Sequence, residues 1–183
     1  MEYSFLTGLI GSLVLVAGAA WPDPKKNQHP AKSLKNWMFF VGGLIMLAYS
    51  IIGYLSGGPI FFLILEILVA VSSLMMMLNF HEKIAVPIIA ISSLSLIIWS
   101  FYLFESYNTV FFIIGLSGIA LGYGFKIGTL RRNLSLTLGS ALIAFFSYIE
   151  ASWIFFWLNM FFAVFSVYYL YKGFANKDTK TIL

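Results

Sequence analysis

The stretch Phe62-Leu63-Ile64-Leu65-Glu66-Ile67-Leu68-Val69-Ala70-Val71-Ser72-Ser73 is an apolar run with a single carboxyl in it. At helical spacing Phe62, Glu66, Ala70 and Ser73 share one face. The same face returns 93 positions later as Phe155, Asn159, Ala163 and Ser166. A carboxyl in one copy and a carboxamide in the other, both inside apolar helices, mark a candidate site.

The setting of that run is set by composition. Of 183 residues, 61% are hydrophobic and only 10% charged. A soluble domain of this size has too much surface per volume to hide so much apolar area, so lipid must replace water around most of it. The absence of cysteine excludes disulfides, Cys-based metal sites and thiol chemistry. His29 and His81 have no ligand-spaced partner, so neither a metal nor a cofactor is expected. The basic residues all flank apolar runs, which points to membrane topology and away from nucleic acid. At the start of the chain Glu2 stands where a signal peptide would be basic, and the lysines come after the apolar run; this predicts a retained first span.

Seven apolar segments succeed one another: Tyr3–Ala20, Trp37–Leu55, Pro59–Leu78, Ile84–Phe104, Thr109–Phe125, Leu134–Ile149 and Trp153–Tyr171. They lack strand alternation, and only helices or closed barrels satisfy their backbone in lipid, so helices are expected. All 11 basic residues fall on one side of such a bundle: Lys25, Lys26, Lys32 and Lys35, then Lys83, then Lys126, Arg131 and Arg132, then Lys172, Lys177 and Lys180. The other side holds Glu2, Glu105 and Glu150. The positive-inside rule then predicts an integral multi-pass protein of a bacterial inner (plasma) membrane, N-terminus outside and C-terminus cytoplasmic. Trp21, Trp37, Trp99 and Trp153 fit interfacial belts.

An internal repeat runs through these segments. Gly8 and Gly11 match Gly115 and Gly118 at an offset of 107; Lys35-Asn36, Gly42 and Ser50 match Arg132-Asn133, Gly139 and Ser147 at 97; the Glu66 and Asn159 runs match at 93. The predicted fold is all-α and membrane-embedded, seven helices in two parallel three-helix repeats joined by a linker helix. The parts are residues 1–80, a linker at 81–106, residues 107–174 and a cytoplasmic tail at 175–183. Close helix approach accounts for the glycines, and N-capping is expected of Asn36 and Asn133.

Seven spans, an outside N-terminus, the three-plus-one-plus-three layout and Asn159 in the last helix resemble the SWEET/PQ-loop superfamily, which includes PnuC-type vitamin carriers. Length and span layout are also similar to the YgjV-like bacterial inner-membrane proteins. The resemblance implies a parallel repeat about an axis along the membrane normal. It also implies a central site on the third and seventh helices with tryptophans nearby, which carries over to Asn159, Glu66 and Trp157. Pro22-Asp23 and Lys126-Ile127 stand near where that superfamily has Pro-Gln pairs, and Glu66 stands where its third helix has Asn.

The chemistry expected of the site comes from its residues. An ionisable side chain within the bilayer is functional by default. A carboxyl there is neutral when shielded by lipid and ionised when wetted or beside a cation, which is a proton-coupling element in physical form. Asn159 offers an acceptor and two donors without charge. Phe62 and Phe155, one turn outward, supply apolar walls or stacking faces. Trp157 offers a face for a ring or cation, although its helical angle differs from that of Asn159 by about 200°. Ser73 and Ser166 complete the lining, unless they only bond their own helices. No nucleophile-and-base pair, phosphate loop or paired carboxylates occur, so no enzyme is expected.

The function expected is a small secondary carrier or facilitator for a polar or cationic metabolite, with proton linkage as one form. Its partners are the lipid bilayer, the solute, and either a second copy or another membrane protein. The alternative is an accessory subunit of a larger membrane complex, in which Glu66 bonds across the bundle and only holds helices together. A receptor built on the same bundle ranks last, because the connections are too short to hold a large ligand.

Overall fold

A computed structural model describes residues 2–21, 29–78, 80, 82–104, 106–125 and 129–181, with side chains at 2, 30, 82 and 173–181 excepted. Among them run seven helices: α1 (Glu2–Ala20), α2 (Leu34–Leu55), α3 (Ile60–Met77), α4 (Glu82–Tyr102), α5 (Asn108–Gly124), α6 (Leu130–Ile149) and α7 (Trp153–Thr181). A single 3-10 turn at Pro30–Lys32 precedes α2. Every apolar run is a helix. Five of them, α1, α2, α3, α4 and α7, are long and apolar enough to cross a bilayer. The exceptions have local causes: α5 has 17 residues, and α6 carries Arg131, Arg132 and Asn133 in its first turn. The chain is a helical membrane protein.

Several boundaries differ from the hydropathy pattern because polar residues extend the helices past the apolar core. Ser33 caps α2, its Oγ accepting from the Asn36 N–H at 3.4 Å. Thr129 caps α6 in the same way, accepting from the Arg132 N–H at 3.4 Å. Asn36 and Asn133 therefore lie inside first turns and are not the caps; a Ser or Thr in extended backbone, three or four residues upstream, takes that place. At the other end α7 does not stop at Tyr171 but continues to Thr181, so residues 175–181 prolong a helix. Pro22-Asp23, His81, Glu105 and Lys126-Ile127 lie outside the described residues.

The turns α2–α3 and α6–α7 are built alike. After α2, the Gly58 N–H reaches the Gly53 carbonyl at 2.9 Å and the Gly57 N–H reaches Tyr54 at 3.0 Å. After α6, the Ser152 N–H reaches Ser147 at 2.9 Å and the Ala151 N–H reaches Tyr148 at 3.1 Å. Both are the paired closure that ends a helix with one left-handed residue. That residue is Gly57 (φ 89°) in one turn and Ala151 (φ 52°) in the other. The extra length of the first hairpin lies mostly within α2, since 13 positions separate Gly42 from the last helical residue Leu55 and ten separate Gly139 from Ile149.

Each helix packs on its neighbour in sequence, and α1 closes the ring on α7. Direction is read from paired positions. Gly11 approaches Met46 and Gly18 approaches Met38, so α1 and α2 are antiparallel. Gly8 approaches Ile154 while Ala19 accepts from the Tyr169 hydroxyl, so α1 and α7 are parallel. The tightest contact is α5 on α6, where a Cβ on Gly139 would stand 2.6 Å from the Ile119 nitrogen and 2.8 Å from the Gly115 carbonyl oxygen. Only hydrogen fits there.

The inner helix of the bundle is α3. Half of its membrane-length window is buried, against 22–28% for the other four long apolar helices. Its rings reach α5, α6 and α7. The helix carrying Glu66 is thus the most buried of the five long apolar helices.

Candidate functional site

The site is set by register. Phe62 is the third residue of α3 and Phe155 the third of α7. Their rings stack face to face, with centroids 4.3 Å apart and planes at 9°. The two helices run parallel, so the residues after Phe62 on α3 fall level with those after Phe155 on α7. Glu66 and Asn159 both lie one turn further along, about 6 Å at helical rise. Ser73 and Ser166 lie about two turns beyond them. Phe62, Glu66, Ser73, Phe155, Asn159 and Ser166 are all buried.

The end of the bundle above Glu66 is closed by more rings. Phe146 of α6 lies 5.7 Å from Phe62, and Phe61 pairs with Phe112 at 5.1 Å and with Phe146 at 5.6 Å. Tyr49 of α2 tilts against Phe155 at 5.6 Å. These residues sit where α3, α5 and α7 begin and α2 and α6 end, so one aromatic layer ties five helices together at one end. Offset and edge-to-face pairs of this kind contribute about 0.5–1.5 kcal/mol each beyond area burial.

Below that layer the polar groups are few. The Glu66 side chain is 1% exposed, and its Oε2 meets no hydrogen-bond donor among the described residues. The Ser72 hydroxyl, also on α3, is the other buried side-chain atom left without a partner among the described residues. Asn159 donates its Nδ2 to the Phe155 carbonyl at 2.9 Å, and so spends that donor on its own helix. Ser73 does likewise, donating to Ala70 at 3.0 Å. In the matched middle helices Ser50 donates to Leu47 and Ser147 to Ile143. The interhelical hydrogen bond from Glu66 expected if it were simple helix glue is not among these contacts.

Trp157 does not join this group. It is 56% exposed and lies on the outer side of α7, its ring against Phe156 at 5.1 Å and Phe161 at 6.3 Å. The separation of about 200° in helical angle from Asn159 carries it to the lipid-facing surface. Tyr49, Phe61, Phe112, Phe146 and Ser72 belong to the site region without having been singled out by sequence. One aromatic among 19 phenylalanines carries no mark of its own, whereas Ser72 stands beside Ser73 in the run that holds Glu66. Tyr123, near the end of α5, also packs on the core, within electrostatic reach of both Glu66 and Arg132.

At the opposite end stand the basic groups. The Lys35 ammonium lies 5.4 Å over the Tyr169 ring and donates to the Trp21 carbonyl at 3.0 Å. Arg132 occupies the matching first turn of α6. Among the described residues the bundle therefore has its stacked ring layer at one end and its basic groups at the other, with one buried carboxyl, Glu66, between them. No family model matches the chain, and no match to it is found among curated proteins or solved structures.

Proposed function

We propose that the protein is a seven-span carrier for a small polar or cationic solute, built as two three-helix repeats around a linker, α4, with Glu66 and Asn159 as its central pair. The observation that carries this reading is the Glu66 carboxyl, buried and without a hydrogen-bond donor at its Oε2. A structural role would leave such a group satisfied, because an unpaired buried polar group costs about 1–3 kcal/mol. A group kept at that cost is one that serves a bound species.

The repeat draws support from three matched details. The glycines of α1 and α5 lie against the middle helices α2 and α6. The turns into α3 and α7 close identically. Phe62 and Phe155 meet at equal depth. The basic ends of α2, α4, α6 and α7 favour an orientation with those ends cytoplasmic and the aromatic layer outside, in a bacterial inner membrane. Glu66 then sits about 9 Å in from the outer end of α3 at about 1.5 Å per residue. The Phe62–Phe155 stack is the barrier on its outer side, and rocking of one repeat against the other opens that stack for exchange. Proton linkage arises if Glu66 takes up a proton when the solute leaves.

The test is a heat-unfolding screen of the purified protein against sugars, vitamins, amines and nucleosides, with Glu66→Gln alongside. A ligand binding the folded state raises the unfolding temperature. The carrier reading expects at least one class to do so in the wild type and not in the variant. Co-purification with a fixed-ratio partner, with no stabilising solute, would replace it with the accessory-subunit reading.

A further inference from the structure

Resting on the carrier reading for the location of the site, we propose that its solute is an organic ammonium, a protonated amine on an apolar body. Three features around Glu66 define that chemistry.

The first is the donor and acceptor inventory. Asn159 Nδ2 and the Ser73 hydroxyl already donate to backbone carbonyls of their own helices. What remains is a second Asn159 N–H and the unpartnered Ser72 hydroxyl on the donor side, against Asn159 Oδ1, hydroxyl lone pairs and the two carboxyl oxygens on the acceptor side. A ligand complementary to this excess of acceptors is chiefly a donor.

The second is charge. The described basic side chains, Lys32, Lys35, Lys83, Arg131, Arg132 and Lys172, stand at the starts of even-numbered helices or late in α7, the end opposite the aromatic layer. Tyr123 is within electrostatic range of both Arg132 and Glu66. An ionised Glu66 in this interior needs a counter-charge, and a cationic ligand brings it.

The third is shape. On its outer side Glu66 is roofed by rings, Phe62 on Phe155 and Phe146 beside them. Such rings form an apolar wall that suits the carbon body of a ligand. A bare metal ion wants about six oxygen ligands around it, and the side chains of Glu66, Asn159 and Ser73 offer about four. An alkyl or aryl ammonium matches both halves, N–H groups toward the carboxylate and carbon toward the rings.

The experiment uses the full chain in proteoliposomes and dicyclohexylcarbodiimide, which labels carboxyls in apolar surroundings, with the Glu66 peptide read by mass spectrometry. Phenethylammonium at about ten times its half-protecting concentration should slow labelling about tenfold. Phenethyl alcohol and sodium chloride at the same concentration should leave it unchanged. Heat unfolding of the same wild-type protein gives an independent readout, a rise with phenethylammonium alone, and Glu66→Asp should keep that rise while Glu66→Gln loses it. Equal effects of the alcohol, protection by sodium ion, or no effect of the ammonium in either measurement would overturn the proposal. Glu66-dependent uptake of a neutral solute without any ammonium effect would overturn it while leaving the carrier reading intact. Ammonium protection without ammonium uptake would overturn the carrier reading and leave only ammonium binding at Glu66.

Discussion

Replacing Glu66 by Met separates a functional carboxyl from helix glue by the sign of one number. Met is close in volume, unbranched and a good helix former, so it fills the same space with an apolar chain. In the folded protein Glu66 is 1% exposed and its Oε2 has no donor among the described residues, so the substitution removes an unsatisfied acceptor and breaks no identified bond. Relief of an unpaired buried polar group is worth about 1–3 kcal/mol. Insertion scales put a charged side chain at mid-bilayer in the same range, about 2.5–3.5 kcal/mol unfavourable. Glu66→Met should therefore stabilise the fold by about 1–3 kcal/mol. The assay is reversible unfolding in mixed micelles with increasing denaturing detergent, followed by circular dichroism. If Glu66 instead held helices together, losing its interhelical bond would cost about 0.6–2 kcal/mol. A variant destabilised by about 1 kcal/mol or more would identify Glu66 as helix glue and remove the basis for a functional carboxyl.

Gly139→Ala should destabilise more than Gly42→Ala in the same unfolding assay. A Cβ at Gly139 would meet backbone at 2.6 Å and 2.8 Å, whereas at Gly42 it would meet the buried Leu15 side chain at 2.8 Å and backbone only at 3.1 Å; overpacking costs about 1–3 kcal/mol or more. Ala151→Gly should stabilise the α6–α7 turn by about 1 kcal/mol, because Ala151 holds φ 52° where its counterpart is Gly57, and it should leave solute binding unchanged. Trp157→Ala should alter neither ligand-induced heat stabilisation nor uptake, since its ring lies outside the bundle.

The helices were legible because hydropathy reports the length of chain that lipid can cover, and each apolar run is a helix to within a few residues at most ends. It does not report where a helix stops once outside lipid, so Ser33, Thr129 and Thr181 had to be found from hydrogen bonds. Within the site, Phe62, Glu66, Phe155 and Asn159 were readable as a repeated face at helical spacing. Parallel helices entering through matching turns turn that spacing into real proximity for the two rings. Trp157 was misplaced by residue type: an indole near Asn159 in sequence stands on the opposite face in space. The ring partners Phe112 and Phe146 had no signal, because their role comes from α5 and α6 meeting α3, a property of packing and not of either segment.

The decisive measurement for a carrier centred on Glu66 is uptake into proteoliposomes. Wild type, Glu66→Gln and Glu66→Met are reconstituted at equal, verified amounts with the solute that stabilises the wild type. A carrier that works through this carboxyl gives uptake by the wild type and background levels in both variants, with the variants folded and the Met variant at least as resistant to unfolding. Uptake by either variant at the wild-type rate would contradict that role for Glu66.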